Sequence, residues 1–196
     1  MSDLKLHLVD CDGRVVDALG AAFAPFPEVT VQCADILKVA EKCVVSPANS
    51  QGFLDGGIDA LYRDFFGPAL ETKVRDSIGK RPDKLLPVGA ALFVPTAHER
   101  IPWLCVAPTM ETPEAVESRN CYRALWAVLR TATAARVTTD IYCPGLATGT
   151  GRVPAEDAAQ MMARAYGDWR RSVRWGAETR KIAPTAENAG NAAPGV

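Results

Sequence analysis

Two stretches of this chain gather residues able to hold an anion and act beside it. Residues 46–59, S-P-A-N-S-Q-G-F-L-D-G-G-I-D, follow the apolar run Cys43-Val44-Val45. They leave it through an amide, Asn49, cross three glycines and reach a carboxylate, Asp59, at the start of a predicted helix. Residues 144–154, P-G-L-A-T-G-T-G-R-V-P, lie between an apolar strand pattern and a helix with Glu156 and Asp157 in its first turn. Glycines let successive backbone N–H groups turn inward, and a helix N-terminus adds partial positive charge, so the second stretch suits a phosphate. It is no Walker loop, because no lysine follows the glycines.

The elements that must position these stretches follow from periodicity. Leu4, Leu6 and Leu8 alternate with Lys5 and His7 as in a strand, and Val16, Leu19 and Phe23 recur at helical spacing until Pro25-Phe26-Pro27. Residues 29–33 and 43–45 read as further strands, with Asp35-Ile36 at the end of the first. Ile58, Leu61, Tyr62, Phe65 and Phe66 predict a helix interrupted at Gly67-Pro68, with a second segment over 70–78. Residues 88–94 and 103–106 predict two strands joined by a polar, proline-bearing connection. Thr112-Pro113-Glu114 offers an N-cap, a proline at the first helical position and an early acid, which predicts a helix from there to about Ala135. A strand over 137–143 and a helix over 154–175 complete a layered α/β pattern in a single domain. Tyr166 and Trp169 recur at helical distance, the spacing of packing side chains. Beyond Gly176 the chain turns to Ala, Gly, Asn, Pro and charge, which predicts a disordered tail over 176–196.

Composition narrows the function. The net charge of −1 provides no basic field to hold a nucleic-acid backbone. The N-terminal residues lack the pattern of a signal peptide, and no apolar run reaches membrane-spanning length, which predicts a cytoplasmic protein without membrane contact. The six cysteines form no C-x-x-C pair; Cys33, Cys43, Cys105 and Cys143 lie in or beside strand-like runs, as buried reduced thiols would. His7 and His98 stand in unrelated patterns, so no histidine-based metal site is expected.

Taken together, the stretches resemble the macro domain family. Pro47-Ala48-Asn49 stands for the A-A-N part of its N-A-A-N element, and Gly56-Gly57-Ile58-Asp59 for G-G-V-D. Residues 145–151 match its second glycine-rich loop, and Asp35-Ile36 matches G-D-I with Ala34 in place of the glycine. The resemblance spans 35–166 and implies a three-layer α/β/α macro domain over 1–175 with a mixed central sheet and a cleft for ADP-ribose. On that reading Asp35 accepts from the adenine amino group and the Ile36 N–H donates to a ring nitrogen. Asn49 positions the distal ribose, Gly56, Gly57 and Ile58 press on ribose and diphosphate, and Ala147, Thr148, Gly149, Thr150, Gly151 and Arg152 hold the diphosphate from the other wall. Phe53 reads either as a core side chain or as a flank of the distal ribose.

Asp59, with Asn49, would serve a hydrolysis that removes ADP-ribose from a mono-ADP-ribosylated acceptor, whereas a non-catalytic reader would use the same contacts. The implied partner is ADP-ribose or an ADP-ribosylated protein, with nucleic acid entering solely as an ADP-ribosylated acceptor; no metal or organic cofactor is implied. This sequence departs from the family at Arg63, where active hydrolases often carry a histidine, and at Ser46, which replaces the first Asn. It departs again at Phe53-Leu54-Asp55, in place of a fuller glycine run, and at Arg152-Val153, where an aromatic often closes over the ligand. A rival pattern is L-V-D-C-D-G over 8–13, which resembles the opening motif of haloacid-dehalogenase phosphatases through Asp10 and Asp12; the later acidic pair that family needs is not found, Asp168 standing alone, and Asp and Gly are natural turn formers.

Overall fold

The computed structural model describes residues 4–182, with side chains described through Trp175. The elements run β1 (Lys5–Asp10), α1 (Gly13–Phe23), β2 (Thr30–Cys33), α2 (Ile36–Val39), β3 (Cys43–Ser46), α3 (Gly57–Phe66), α4 (Ala69–Gly79), β4 (Leu92–Pro95), β5 (Trp103–Val106), α5 (Arg119–Ala135), β6 (Asp140–Cys143) and α6 (Ala155–Ile182). The six strands form one sheet in the order β2-β1-β6-β3-β5-β4. All neighbours are parallel except β4, which pairs antiparallel with β5. The sheet is therefore mixed, and helices cover both of its faces.

Strand alternation assigns the two faces. Cys43 and Val45, Cys105 and Ala107, and Ile141 and Cys143 join a core with the buried sides of α1, α5 and α6. Val44, Leu104 and Val106 point the other way, into a second core with Tyr62 of α3 and Leu70, Val74 and Ile78 of α4. The same alternation sends Ser46, at the end of β3, toward α3, whose first turn carries Asp59. Tyr62 fastens that helix to the sheet, its hydroxyl donating to the Val45 carbonyl at 3.2 Å.

Several elements differ from their sequence reading. Leu61 and Phe65 of α3 are 58% and 41% exposed, so α3 carries apolar side chains on its outer face as well. Cys33 is exposed and Cys121, on α5, is buried, so the buried thiols are Cys43, Cys105, Cys121 and Cys143. Residues 88–91 do not extend β4. Helix α5 starts at Arg119 and not at Thr112-Pro113-Glu114, because the chain before it is spent on tertiary hydrogen bonds. Thr109 N–H donates to the Pro47 and Ala48 carbonyls, the Met110 carbonyl accepts from Ser50 N–H, and Val116 N–H donates to the Gly151 carbonyl. Helix α6 continues to Ile182, past the predicted start of the tail, and residues 183–196 lie outside the described residues. Tyr166 and Trp169 are core side chains, as their spacing predicts.

Candidate functional site

The ends of β1, β3 and β6, with the loops that follow them, border one cleft of about 560 Å³. Its wall includes Asn49, Gly56, Gly57, Ile58 and Asp59 from the first stretch and Gly145, Ala147, Thr148, Gly149, Thr150 and Gly151 from the second. Asp35 and Ile36 lie on it too. Two stretches almost a hundred residues apart in the chain are thus brought together. The exposed Arg152 is not on the wall.

Backbone donors dominate this surface. Among the described residues, the N–H groups of Gly56, Gly57 and Ile58, at the start of α3, find no acceptor in the protein, and neither do those of Gly149, Thr150 and Gly151. Helix-start amides carry partial positive charge, and unpaired ones are suited to an anion. The second loop is shaped by close approach. A Cβ on Gly145 would stand 2.5 Å from Val15 Cγ1, and one on Gly151 would stand 2.7 Å from the Ala147 carbonyl oxygen. Gly56 is different: its φ of −139° suits any residue, and an added Cβ would meet nothing. Nothing in the fold requires glycine there, yet the position lines the cleft.

Asp59 is the buried charge of the site. It is 7% exposed, and Ser46 Oγ–H donates to its Oδ1 at 2.6 Å. No buried side-chain oxygen lacks a partner among the described residues and Oδ2 has none, so Oδ2 is the oxygen left open to the cleft. Burial pushes the carboxyl up to about 7; the Ser46 hydrogen bond works against that rise, and the nearby Asp55 carboxylate adds to it. Arg63, one turn later, turns outward to Asp64 at 3.4 Å and makes no ion pair with Asp59.

Asn49 is committed locally. Its Oδ1 accepts from Gln51 N–H at 3.0 Å and Phe53 N–H at 3.3 Å, while Nδ2 donates to the Phe53 carbonyl at 3.2 Å. The amide closes the turn that precedes the glycines, and one Nδ2 hydrogen remains for the cleft. Asp35 caps α2, its Oδ1 accepting from Leu37 N–H at 3.0 Å. Phe53 lines the cleft, with the Arg75 guanidinium 4.2 Å from its ring centroid.

Sequence reasoning gave several wall residues no part in this cleft. Asp10 is one: Oδ1 accepts from Asp12 N–H and Oδ2 from Gly145 N–H, both at 3.0 Å, so it buttresses the second loop. Asp12 caps α1 through Arg14 N–H and pairs with the Arg14 side chain. The D-x-D-G motif is thus a strand end followed by a helix cap, with both Asp10 oxygens engaged by backbone N–H groups. Cys11 is another wall residue, its thiol pushed up by burial and by the Asp35 and Asp10 carboxylates, the opposite of an activated nucleophile. Thr109, Met110 and Pro113 also line the wall; the signal for them was two prolines, in A-P-T-M-E-T-P, directly after an apolar strand. Among the described residues, no helix is long and apolar enough to cross a membrane.

The same architecture recurs in known proteins. A protein of Aquifex aeolicus is 30% identical over 141 residues, covering 69% of this chain and 78% of its own length. The macrodomain of Mycobacterium tuberculosis DarG superimposes with a TM-score of 0.59 at 19% identity, covering 69% of this chain and 87% of that one. Thermosipho africanus DarTG, solved in complex with ADP-ribose, superimposes with a TM-score of 0.56 at 13% identity, covering 80% of this chain and 49% of that one. Residues 45–162 match the Macro domain family itself, a span that opens beside Ser46 and takes in both glycine-rich loops. This chain belongs to the macro domain family.

Proposed function

We propose that the cleft binds ADP-ribose and hydrolyses its bond to an acceptor, with Asp59 acting on the attacking water. One observation carries this reading: two rows of unpaired backbone N–H groups line the same cleft as the open oxygen of a buried carboxylate. Such amides would hold a diphosphate without a lysine or a metal. Adenine would lie at the Asp35 and Ile36 end, where Asp35 Oδ2 is not used in capping and lies 3.9 Å from Lys38 Nζ. The distal ribose would lie against Gly56 and Phe53, at the end of the cleft where Asn49 keeps one hydrogen free. The DarTG structure with ADP-ribose bound, built on this fold, supports the choice of ligand.

The chemistry follows from what Asp59 can do. Cleavage at the anomeric carbon develops positive charge on the sugar, which the Asp59 carboxylate stabilises while it takes a proton from water. The water oxygen bonds to the anomeric carbon as the bond to the acceptor breaks. An acceptor linked through a side-chain carboxylate leaves as a stable anion, so no second proton donor is needed. That suits a site in which Arg63 turns away from Asp59. A free carboxyl near 7 places the reacting form in reach at neutral pH.

Calorimetric titration with ADP-ribose tests the cleft, and release of ADP-ribose from a protein mono-ADP-ribosylated on carboxylates tests the reaction. We expect binding, and turnover whose rate rises with pH through about 7 as Asp59 ionises. Binding without release would assign a reader. Failure to bind at millimolar ligand would refute both.

A further inference from the structure

The carboxylate is held asymmetrically, and what holds it is the residue that replaces the family's first Asn. Ser46 is fully buried at the end of β3, where its carbonyl accepts from Ala107 N–H at 2.9 Å, so its backbone is fixed by the β3–β5 region of the sheet. Its side chain points to α3 by strand alternation and meets Asp59 Oδ1 at 2.6 Å, with Asp59 in the first turn of a helix anchored by Tyr62. Both partners thus sit on rigid elements, and a carboxylate bound at one oxygen by a fixed donor has little rotational freedom.

We propose that Ser46 is a positioning residue: its hydroxyl fixes Asp59 Oδ1, turns Oδ2 to the cleft and favours the charged carboxylate over the neutral acid. The inference rests on the hydrolytic reading of Asp59. The other groups near the carboxylate do not do this work. Asp55, on the loop before α3, opposes ionisation through its like charge, and Tyr62, on the next turn, spends its hydroxyl on the Val45 carbonyl. Arg63 is paired outward with Asp64. Ser46 is the group near Asp59 whose effect is to keep it ionised against burial.

The test follows the Asp59 carboxyl carbon by 13C NMR across pH in the full chain, the signal being assigned by its loss in Asp59→Asn. Ser46→Ala is expected to raise the titration midpoint by about one to two units, the loss of a hydrogen bond to a charged group. Ser46→Thr, which keeps the hydroxyl, should stay near wild type. Should Ser46→Ala fail to fold, Ser46→Cys keeps the shape with a weak donor and should shift the midpoint the same way. The pH–rate curve of ADP-ribose release should move by the same amount as the titration, with the loss at pH 6.5 falling on kcat and not on KM. An unchanged midpoint in Ser46→Ala, or in Ser46→Cys if that variant is the one that folds, overturns the proposal, as does a rate loss that is equal at every pH. A wild type that releases no ADP-ribose would fail the hydrolytic reading alone, since the titration still reads Ser46 against Asp59.

Discussion

The two glycine-rich loops meet at one cleft but are held in opposite ways. The first, over 46–59, is tied by side chains: Asn49 closes its turn, Glu71 Oε2 accepts from Leu54 N–H at 2.9 Å, and Ser46 bonds Asp59. The second, over 144–152, is shaped by backbone crowding at Gly145 and Gly151, with Asp10 accepting from Gly145 N–H as its main side-chain support. Only the first carries a buried ionisable group on the cleft wall. The difference separates a loop that places a carboxylate beside its free amides from a loop that presents amides alone. The glycines divide within each loop: Gly52, at φ 77° and crowded by Ile78 and Val74, is demanded by the fold as Gly145 and Gly151 are, whereas a Cβ on Gly56 or Gly149 would meet nothing.

The comparison is broken most directly at Asp59. Replacing it with Asn should lower kcat for ADP-ribose release by about 10²- to 10⁴-fold, as expected for loss of a general base, while ADP-ribose binding, measured by calorimetry, persists. Stability should move the other way, with a sign fixed by the raised carboxyl. Folded, Asp59 keeps its proton up to about 7; unfolded, it ionises near the ordinary carboxylate value, about 4. Between these limits the folded state holds the extra proton, so this contribution is full below about pH 4 and is lost as pH rises through about 7. At pH 8 the cost of the buried charge is at most about 4 kcal/mol. Asp59→Asn removes the titration, so its denaturation midpoint should exceed wild type at pH 8 and the advantage should shrink toward pH 4. A variant equally destabilised at both pH values would mean that Asp59 is structural.

The glycines sharpen the comparison next. Gly145→Ala drives a Cβ to 2.5 Å from Val15 Cγ1, so thermal or urea unfolding should show a loss of about 1–3 kcal/mol, the usual cost of overpacking. Gly56→Ala should unfold within about 0.5 kcal/mol of wild type, because its Cβ meets nothing. Its ADP-ribose affinity should nevertheless fall, by about tenfold, because the methyl group enters space we assign to ligand. If Gly56→Ala binds ADP-ribose as wild type does, the first loop does not press on the ligand.

These residues also show what the sequence could carry. Strands and helices were legible because their apolar positions are set by alternation, as with Leu6 and Leu8 of β1, and by helical spacing, as with Leu19 and Phe23 of α1. The loops were legible as a pair because three short motifs stand in order, and the fold then brings Asn49, Gly56, Asp59 and residues 147–151 to one wall. Three things were not legible. The local capping signal at Thr112-Pro113-Glu114 lost to tertiary hydrogen bonds that no local pattern encodes. Ser46 read as a mere departure, since its value lies in a contact thirteen residues away. Asn49 read as a ligand contact, while its side chain is mostly engaged by the turn it closes.

That last point gives a smaller expected effect. Asn49→Ala removes two accepted hydrogen bonds and one donated one within a part-buried turn, and should cost about 1–2 kcal/mol of stability in urea unfolding. Loosening the turn should also weaken ADP-ribose binding several-fold, whereas Asn49→Asp, which keeps the acceptor, should recover most of the stability. A variant that loses binding with no loss of stability would instead place the Asn49 amide directly on the ligand.

The smallest effect is expected at Arg152, and it tests where the second loop's anion grip comes from. A cation beside a diphosphate would ordinarily strengthen binding, and the family resemblance puts Arg152 at the end of the diphosphate wall. Its side chain is nevertheless exposed and off the cleft, following a left-handed backbone turn at φ 52°. At physiological salt, screening over about 8 Å leaves such a charge little hold on the ligand. Arg152→Ala should therefore change the Kd for ADP-ribose by less than about twofold, with little dependence on ionic strength. A tenfold loss that disappears at high salt would show the grip to be a side-chain charge and not the amides of Gly149, Thr150 and Gly151, and would make the two loops less unlike than their backbones imply.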